Sequence, residues 1–262
     1  VFSEQIKALA EGGADIINLE TFTDLAEMRA AFLAAREVCS LPVVCSFSFE
    51  LSGKTMMGTD PYIAALVMKS MGADMVGTNC SSGPEHMLGV VKKMHQVGDV
   101  LLSVKPNAGL PEMVDGNVVY CETADRFARF TREFVKYGAR LVGGCCVTTP
   151  EFISALKKEL EGIQLFPAAD FSGEGIIASS FKKVDIGKLD RNSIAAINTD
   201  EDMELTAQLR AGNLEYVSDL AMEIQGEDYQ AVLINVDGVD DDETLLARVV
   251  NALQVHVRHP FI

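Results

Sequence analysis

Apolar residues in the first 160 positions fall into two alternating rhythms. Short runs apolar on both faces occur at 15–20 (DIINLE), 42–49 (PVVCSFSF), 74–79 (DMVGTN), 100–105 (VLLSVK) and 140–144 (RLVGG). Their length and Val/Ile content predict strands of a buried parallel sheet. Helical spacing separates them. Leu25, Met28 and Phe32 share one face, and Asp24 with Glu27 gives that helix a capping-box start. Asp60-Pro61, Gly83-Pro84 and Thr149-Pro150 each set a cap residue before a proline at the first helical position. The opening VFSEQIKALAEGG reads as an amphipathic helix entered in mid-pattern. Repeated βα units imply an α/β fold with a parallel sheet, either open or a (β/α)8 TIM barrel. Five units are visible where a barrel needs eight, so the chain is expected to be a fragment lacking the first three strands.

The rhythm loosens over residues 162–192 and then restarts. A strand is expected at 194–197, a long helix at about 200–225, a strand at 231–236, a helix at about 243–255, and a final HPFI where another strand would begin. The predicted organisation is therefore a partial barrel over 1–161, a linker over 162–192, and the truncated start of a second α/β domain over 193–262.

Composition narrows the function classes. The 262 residues carry 38 acidic and 22 basic side chains, a net charge of −16, which disfavours nucleic acid and anionic membranes as partners. No apolar run approaches the roughly 18 residues of a membrane span. Six cysteines in a chain of this size do not make a disulfide scaffold, so a reducing, cytoplasmic setting is expected.

Candidate chemistry is confined to the strand ends, because functional groups of a parallel βα sheet collect at its carboxyl edge. The run LVGGCCVTTPEF places Cys145 and Cys146 at the end of the fifth strand, and Cys80 ends the third. Three thiolates without a fourth protein ligand match an open, catalytic zinc site. Each also precedes a helix N-terminus, which favours thiolate. Gly143 and Gly144 permit a sharp turn before the pair. Two other readings stand beside this one: Cys80 alone is more often a small core residue, and Cys145–Cys146 could cycle as a vicinal disulfide. Cys39, Cys45 and Cys121 lack such placement and read as structural.

Four motifs, ETFTD at 20–24, GTNCSSGPE at 77–85, KPNAGLP at 105–111 and GGCCVTTPE at 143–151, resemble the homocysteine S-methyltransferase family in order and spacing. The resemblance implies a (β/α)8 barrel of which these would be strands four to eight. It implies zinc on Cys80, Cys145 and Cys146, and homocysteine as the methyl acceptor. Glu20 would hold the substrate ammonium, its alternative role being a helix cap. Asn107 and the backbone of Ser81 and Ser82 would take the carboxylate. Val147 stands where the family usually has glycine. The second segment, through AGNLEYVSDLAMEIQ and LINVDG, resembles the start of the pterin-binding barrel that follows in cobalamin-dependent methionine synthases. There the family's Gly-Glu-Arg-Ile-Asn is replaced by Ala195-Ala196-Ile197-Asn198, leaving Asn198 and Asn235 as candidate cofactor residues. The implied methyl source is methylcobalamin on a corrinoid-binding module, charged from methyltetrahydrofolate. S-methylmethionine or betaine as donor, or an inactive remnant with a structural zinc, are the alternatives.

Overall fold

Five apolar runs pair in register into one parallel sheet. In the computed structural model, which describes residues 1–114, 116–120, 122–165, 167, 170–239 and 244–262, the chain divides into two units, Val1–Gly173 and Glu174–Ile262. The first begins with α1 (Phe2–Glu11), β1 (Ile17–Phe22), α2 (Leu25–Val38), β2 (Val43–Phe47), α3 (Pro61–Ser70), β3 (Met75–Asn79) and α4 (Pro84–His95). It continues with β4 (Leu102–Lys105), the antiparallel hairpin β5 (Pro111–Val114) and β6 (Asn117–Tyr120), α5 (Ala124–Lys136), β7 (Ala139–Val142) and α6 (Pro150–Leu160). The sheet order is β1-β2-β3-β4-β7, all parallel. This is the succession of βα units expected of part of a TIM barrel. The hairpin, inserted after β4, was not anticipated.

The caps explain where the helices start. Asp24 accepts from Ala26 N (2.9 Å) and Asp60 from Tyr62 N (2.9 Å). Thr149, read as a cap residue, makes no side-chain cap bond, and Pro150 at the first turn marks that start instead.

The two faces of the sheet differ. On β1, Ile17 and Leu19 are buried while Asn18 and Glu20 are exposed, and α2 packs against β1 and β2. The helices therefore cover the Ile17/Leu19 face, with Met28, Phe32 and Phe47 among its fully buried side chains. Register carries Asn18 across to Val44, Ser46 to Gly77, Gly77 to Ser103 and Asn79 to Lys105, so the opposite face is rich in small and polar groups. A side chain at Gly77 would run into the Ser103 backbone, so glycine permits β3 and β4 to approach there.

The second unit opens with the antiparallel hairpin β8 (Ile176–Ala178) and β9 (Lys183–Asp185), followed by two short 3-10 turns, Ile186–Lys188 and Arg191–Ser193. It continues with β10 (Ile194–Asn198), α7 (Met203–Arg210), α8 (Glu215–Gly226), β11 (Ala231–Asn235) and α9 (Leu245–His256). β10 and β11 pair in parallel over a core that includes Ile197, Val217, Val232 and Leu253. Ile262 extends the ladder beyond β11, donating to Val232 O (2.8 Å) and accepting from Ile234 N (2.9 Å).

Two expectations are revised here. The segment 162–192 is not a bare linker: its first part belongs to the first unit, and the remainder forms the β8–β9 hairpin of the second. The single helix expected at about 200–225 is two. Gly212, at φ +74°, leaves the helical region, and Asn213 Oδ1 starts α8 by accepting from Glu215 N (3.2 Å). The expected helix start at Glu243 lies outside the described residues, as does Cys121. Among the described residues, no helix is long and apolar enough to cross a membrane.

Candidate metal centre

Cys80 immediately follows β3, and Cys145 and Cys146 lie three and four residues past the end of β7. Their sulfur atoms all lie within 4.8 Å of one another, and Cys80 Sγ is 3.7 Å from Cys146 Sγ. Among the described residues this is the one group of three or more His, Cys, Asp or Glu so arranged, and no fourth such ligand joins it.

One short peptide ties the three cysteines down. Lys105 O accepts from Cys80 N (3.2 Å), and Pro106 O from Cys145 N (2.8 Å). Asn107 Oδ1 accepts from Cys146 N (3.0 Å), and Ala108 N donates to Cys146 O (3.0 Å). The end of β4 thus anchors loops from both flanking strands. Cys80, Ser81, Thr21 and Val147 have φ between +59° and +67°, four of the five described non-glycine residues with positive φ. Left-handed backbone costs an L-residue about 1–2 kcal/mol, a strain that clusters where surrounding bonds over-determine the chain. The turn at Val147 follows the adjacent cysteines, and Gly144 leaves room for the Thr148 side chain, which bonds Cys145 O (2.7 Å).

Asn79, fully buried, joins this site to two other strands. Its Oδ1 accepts from Thr21 N (3.0 Å) and Ser46 Oγ (2.8 Å), while its Nδ2 donates to Thr21 Oγ1 (2.7 Å) and faces Cys145 Sγ at 3.9 Å. The Thr21 bond coincides with a break in the β1–β2 register between Leu19 and Phe22.

The thiols share their protons unequally. Burial works to raise the Cys80 pKa, but the Ser81 amide, the Cys146 and Cys145 thiols and the Asn107 side chain together hold it below its ordinary value. Cys146 is pushed up to about 11, first by its hydrogen bond to Cys80 and then by the nearby Cys145 and Cys80 charges. The Cys80 thiol is therefore easier to deprotonate than a free cysteine and its neighbour Cys146 harder, as interacting sites are. Such a set suits a soft cation. Tetrahedral zinc at about 2.3 Å from each sulfur needs sulfurs about 3.8 Å apart, close to the Cys80–Cys146 separation.

The other predicted residues fall as follows. Glu20 lies at this edge of the sheet, but its carboxylate is ion-paired with Lys105. Asn107 spends its carbonyl on Cys146 N. Ser82 N is taken by Cys80 O (2.7 Å), the Ser81 amide faces the Cys80 sulfur, and Ser81 Oγ bonds Ser48 Oγ. Neither serine amide is thus left over for a ligand. Asn79 and Lys105 were missed by sequence reasoning, although both sit inside motifs it had singled out. In the second unit, Asn235 Nδ2 donates to Asn198 Oδ1 (3.0 Å) and Asp200 Oδ2 (2.9 Å) at the ends of β10 and β11. The loops after β3 and β4 also line a cavity of about 430 Å³, walled by Gly83, Pro84, Gly109, Leu110 and the ion-paired Glu85, Arg126 and Glu122.

A parallel βα sheet with three thiols converging at its carboxyl edge defines the class, a thiol-rich α/β domain able to hold a metal ion. The family model for homocysteine S-methyltransferase matches residues 1–160, more than half of the chain, and the chain belongs to that family. It is similar to the methionine synthase of Mycobacterium tuberculosis, 30% identical over 189 residues that cover 70% of this chain and 16% of the relative. The methionine synthase of Mycobacterium leprae is 32% identical over 158 residues, 58% of this chain and 13% of that one. The chain thus spans 16% or less of the length of these relatives. Among solved structures, the apo form of the homocysteine methyltransferase MmuM from Escherichia coli matches at 25% identity with a TM-score of 0.48, covering 60% of this chain and 57% of that one. Its metallated form matches with the same identity and score over 51% of its length.

Proposed function

We propose that the first unit activates homocysteine for methyl transfer, with Cys80, Cys145 and Cys146 holding a zinc ion whose fourth position is left to the substrate thiol. The observation that carries this reading is the convergence of three sulfurs, with no fourth protein ligand beside them among the described residues. Zinc bound there supplies a Lewis-acidic position that favours thiolate over thiol at neutral pH. Glu20, at the same edge, receives the substrate ammonium through a charge-assisted hydrogen bond. Asn107, Ser81 and Ser82 hold the cysteine loops in place beside it. Once the thiol proton has passed to solvent water, a sulfur lone pair forms the new S–C bond to the methyl carbon. The bond from that carbon to the donor breaks, and the donor departs with the electron pair.

The methyl group comes, in this reading, from methylcobalamin on a corrinoid-binding module, with methyltetrahydrofolate as its source. Support comes from the two methionine synthase relatives, to which 70% and 58% of this chain are similar. The second unit is then the beginning of a pterin-binding barrel, with Asn198 and Asn235 as its strand-end polar groups. Zinc analysis of the purified chain tests the centre: about one equivalent per chain is expected, and added homocysteine should raise the melting temperature of the loaded protein. Protein that takes up no zinc while its thiols remain reduced would overturn the proposal.

A further inference from the structure

The ion pair between Glu20 and Lys105 sits beside the cysteine cluster and has no role in holding it. Lys105 is the last residue of β4, facing the same side of the sheet as Asn79, and its own carbonyl anchors Cys80. Its side chain is 15% exposed and that of Glu20 39%. The Gly143 backbone lies along the lysine stem: a Cβ there would stand 3.4 Å from Lys105 Cγ and 3.8 Å from Cδ. The stem is thereby fixed, while the ammonium reaches across to β1.

An α-amino acid brings two opposite charges. A site offering only Glu20 would attract its ammonium and repel its carboxylate. The serine amides and both ends of the Asn107 side chain, its oxygen on Cys146 N and its amide on the Cys80 sulfur, are already engaged by the cysteine loops. We propose that Lys105 receives the substrate's α-carboxylate, and that the Glu20–Lys105 pair is the resting state of a reader of zwitterions. This rests on the homocysteine reading above. On binding, the substrate ammonium joins Glu20 and its carboxylate joins Lys105, so four charges alternate in sign and the site gains none. Such charge-assisted bonds are the strong ones. A thiol missing either charge leaves one partner facing its old mate.

The test measures thiol affinity of the zinc-loaded chain by calorimetry. The probes are homocysteine, aminopropanethiol, which lacks the carboxylate, and mercaptobutyrate, which lacks the amine. Wild-type protein should bind homocysteine at least roughly tenfold more tightly than either truncated thiol, the scale of one hydrogen bond to a charged group. Lys105→Met should weaken homocysteine about tenfold and leave aminopropanethiol within about twofold. Lys105→Arg should restore most of the preference, and Glu20→Gln should produce the mirror pattern, sparing mercaptobutyrate. Zinc content and melting temperature report whether each variant is folded. If Lys105→Met weakens both thiols equally, or if homocysteine binding is intact and its preference unchanged in that variant and in Glu20→Gln, this inference falls alone. If the wild-type chain loads zinc but binds no homocysteine, the functional reading falls and takes this one with it.

Discussion

Cys45 lies within β2 and Cys80 just past the end of its paired neighbour β3, and the two have opposite fates. Cys45, in the middle of β2, is wholly buried, and desolvation pushes its thiol up to about 12. Cys80, one residue beyond β3, is drawn toward thiolate and faces two other sulfurs. The residue type is the same. What separates them is that the middle of the sheet is closed by packing, whereas its carboxyl edge ends in loops whose amides can be aimed. A thiol becomes a candidate ligand here by its distance from the end of a strand.

The largest effect should come from breaking that contrast directly. Cys146→Ala should reduce bound zinc from about one equivalent to none after gel filtration, since removing one of three ligands forfeits a large share of the roughly 10–16 kcal/mol that structural zinc sites supply. Cys45→Ala should leave the stoichiometry unchanged. Metal loss in the second variant would mean that the middle of the sheet also builds the site.

Next comes Asn79→Ala. It strips partners from Thr21 N, Thr21 Oγ1 and Ser46 Oγ in a buried setting, at a cost of about 3 kcal/mol. Urea melts should show the loss. Asn235→Ala, its counterpart at the more open edge of β11, should cost about 1 kcal/mol.

The raised Cys45 pKa has a definite sign. The fold favours the neutral thiol, so its contribution is complete below the ordinary value of 9.0 and is lost as pH rises toward about 12. Stability of the metal-free chain should fall by up to about 1.4 kcal/mol per pH unit in that window. Cys45→Ala should remove that component from pH-dependent denaturation curves. The smallest effect is at Val147. Its φ of +67° strains a β-branched residue, so Val147→Gly should stabilise the chain by about 1 kcal/mol after glycine's own entropy cost. Differential scanning calorimetry would detect a modest rise in melting temperature.

Much of this was readable from the chain alone. The five strands, the proline-started helices and the grouping of Cys80 with Cys145 and Cys146 follow from local periodicity and from the rule that chemistry gathers at strand ends. What escaped is non-local or was outvoted locally. Asn79 reaches Thr21 across 58 positions and Cys145 across 66, a distance at which sequence spacing carries no information. Lys105 at the end of β4 meets Glu20 of β1 across two intervening strands, β2 and β3, a pairing that no local pattern announces. The helix break was visible as Gly212-Asn213, but continuous apolar spacing on both sides masked it. The β5–β6 hairpin went unnoticed because its strands, PEMV and NVVY, run on from the KPNAGLP motif with no helical pattern between them to mark a βα unit.

The anchoring of all three cysteines to residues 105–107 bears on motion as much as on shape. Three loops that each wandered independently would scatter the sulfurs and smear their mutual distances. Fastened to consecutive links of one strand end, they travel together, like a tripod carried by its head. Thermal excursions of the sheet edge then shift the cluster as a body, and the spacing among its donor atoms survives the shaking.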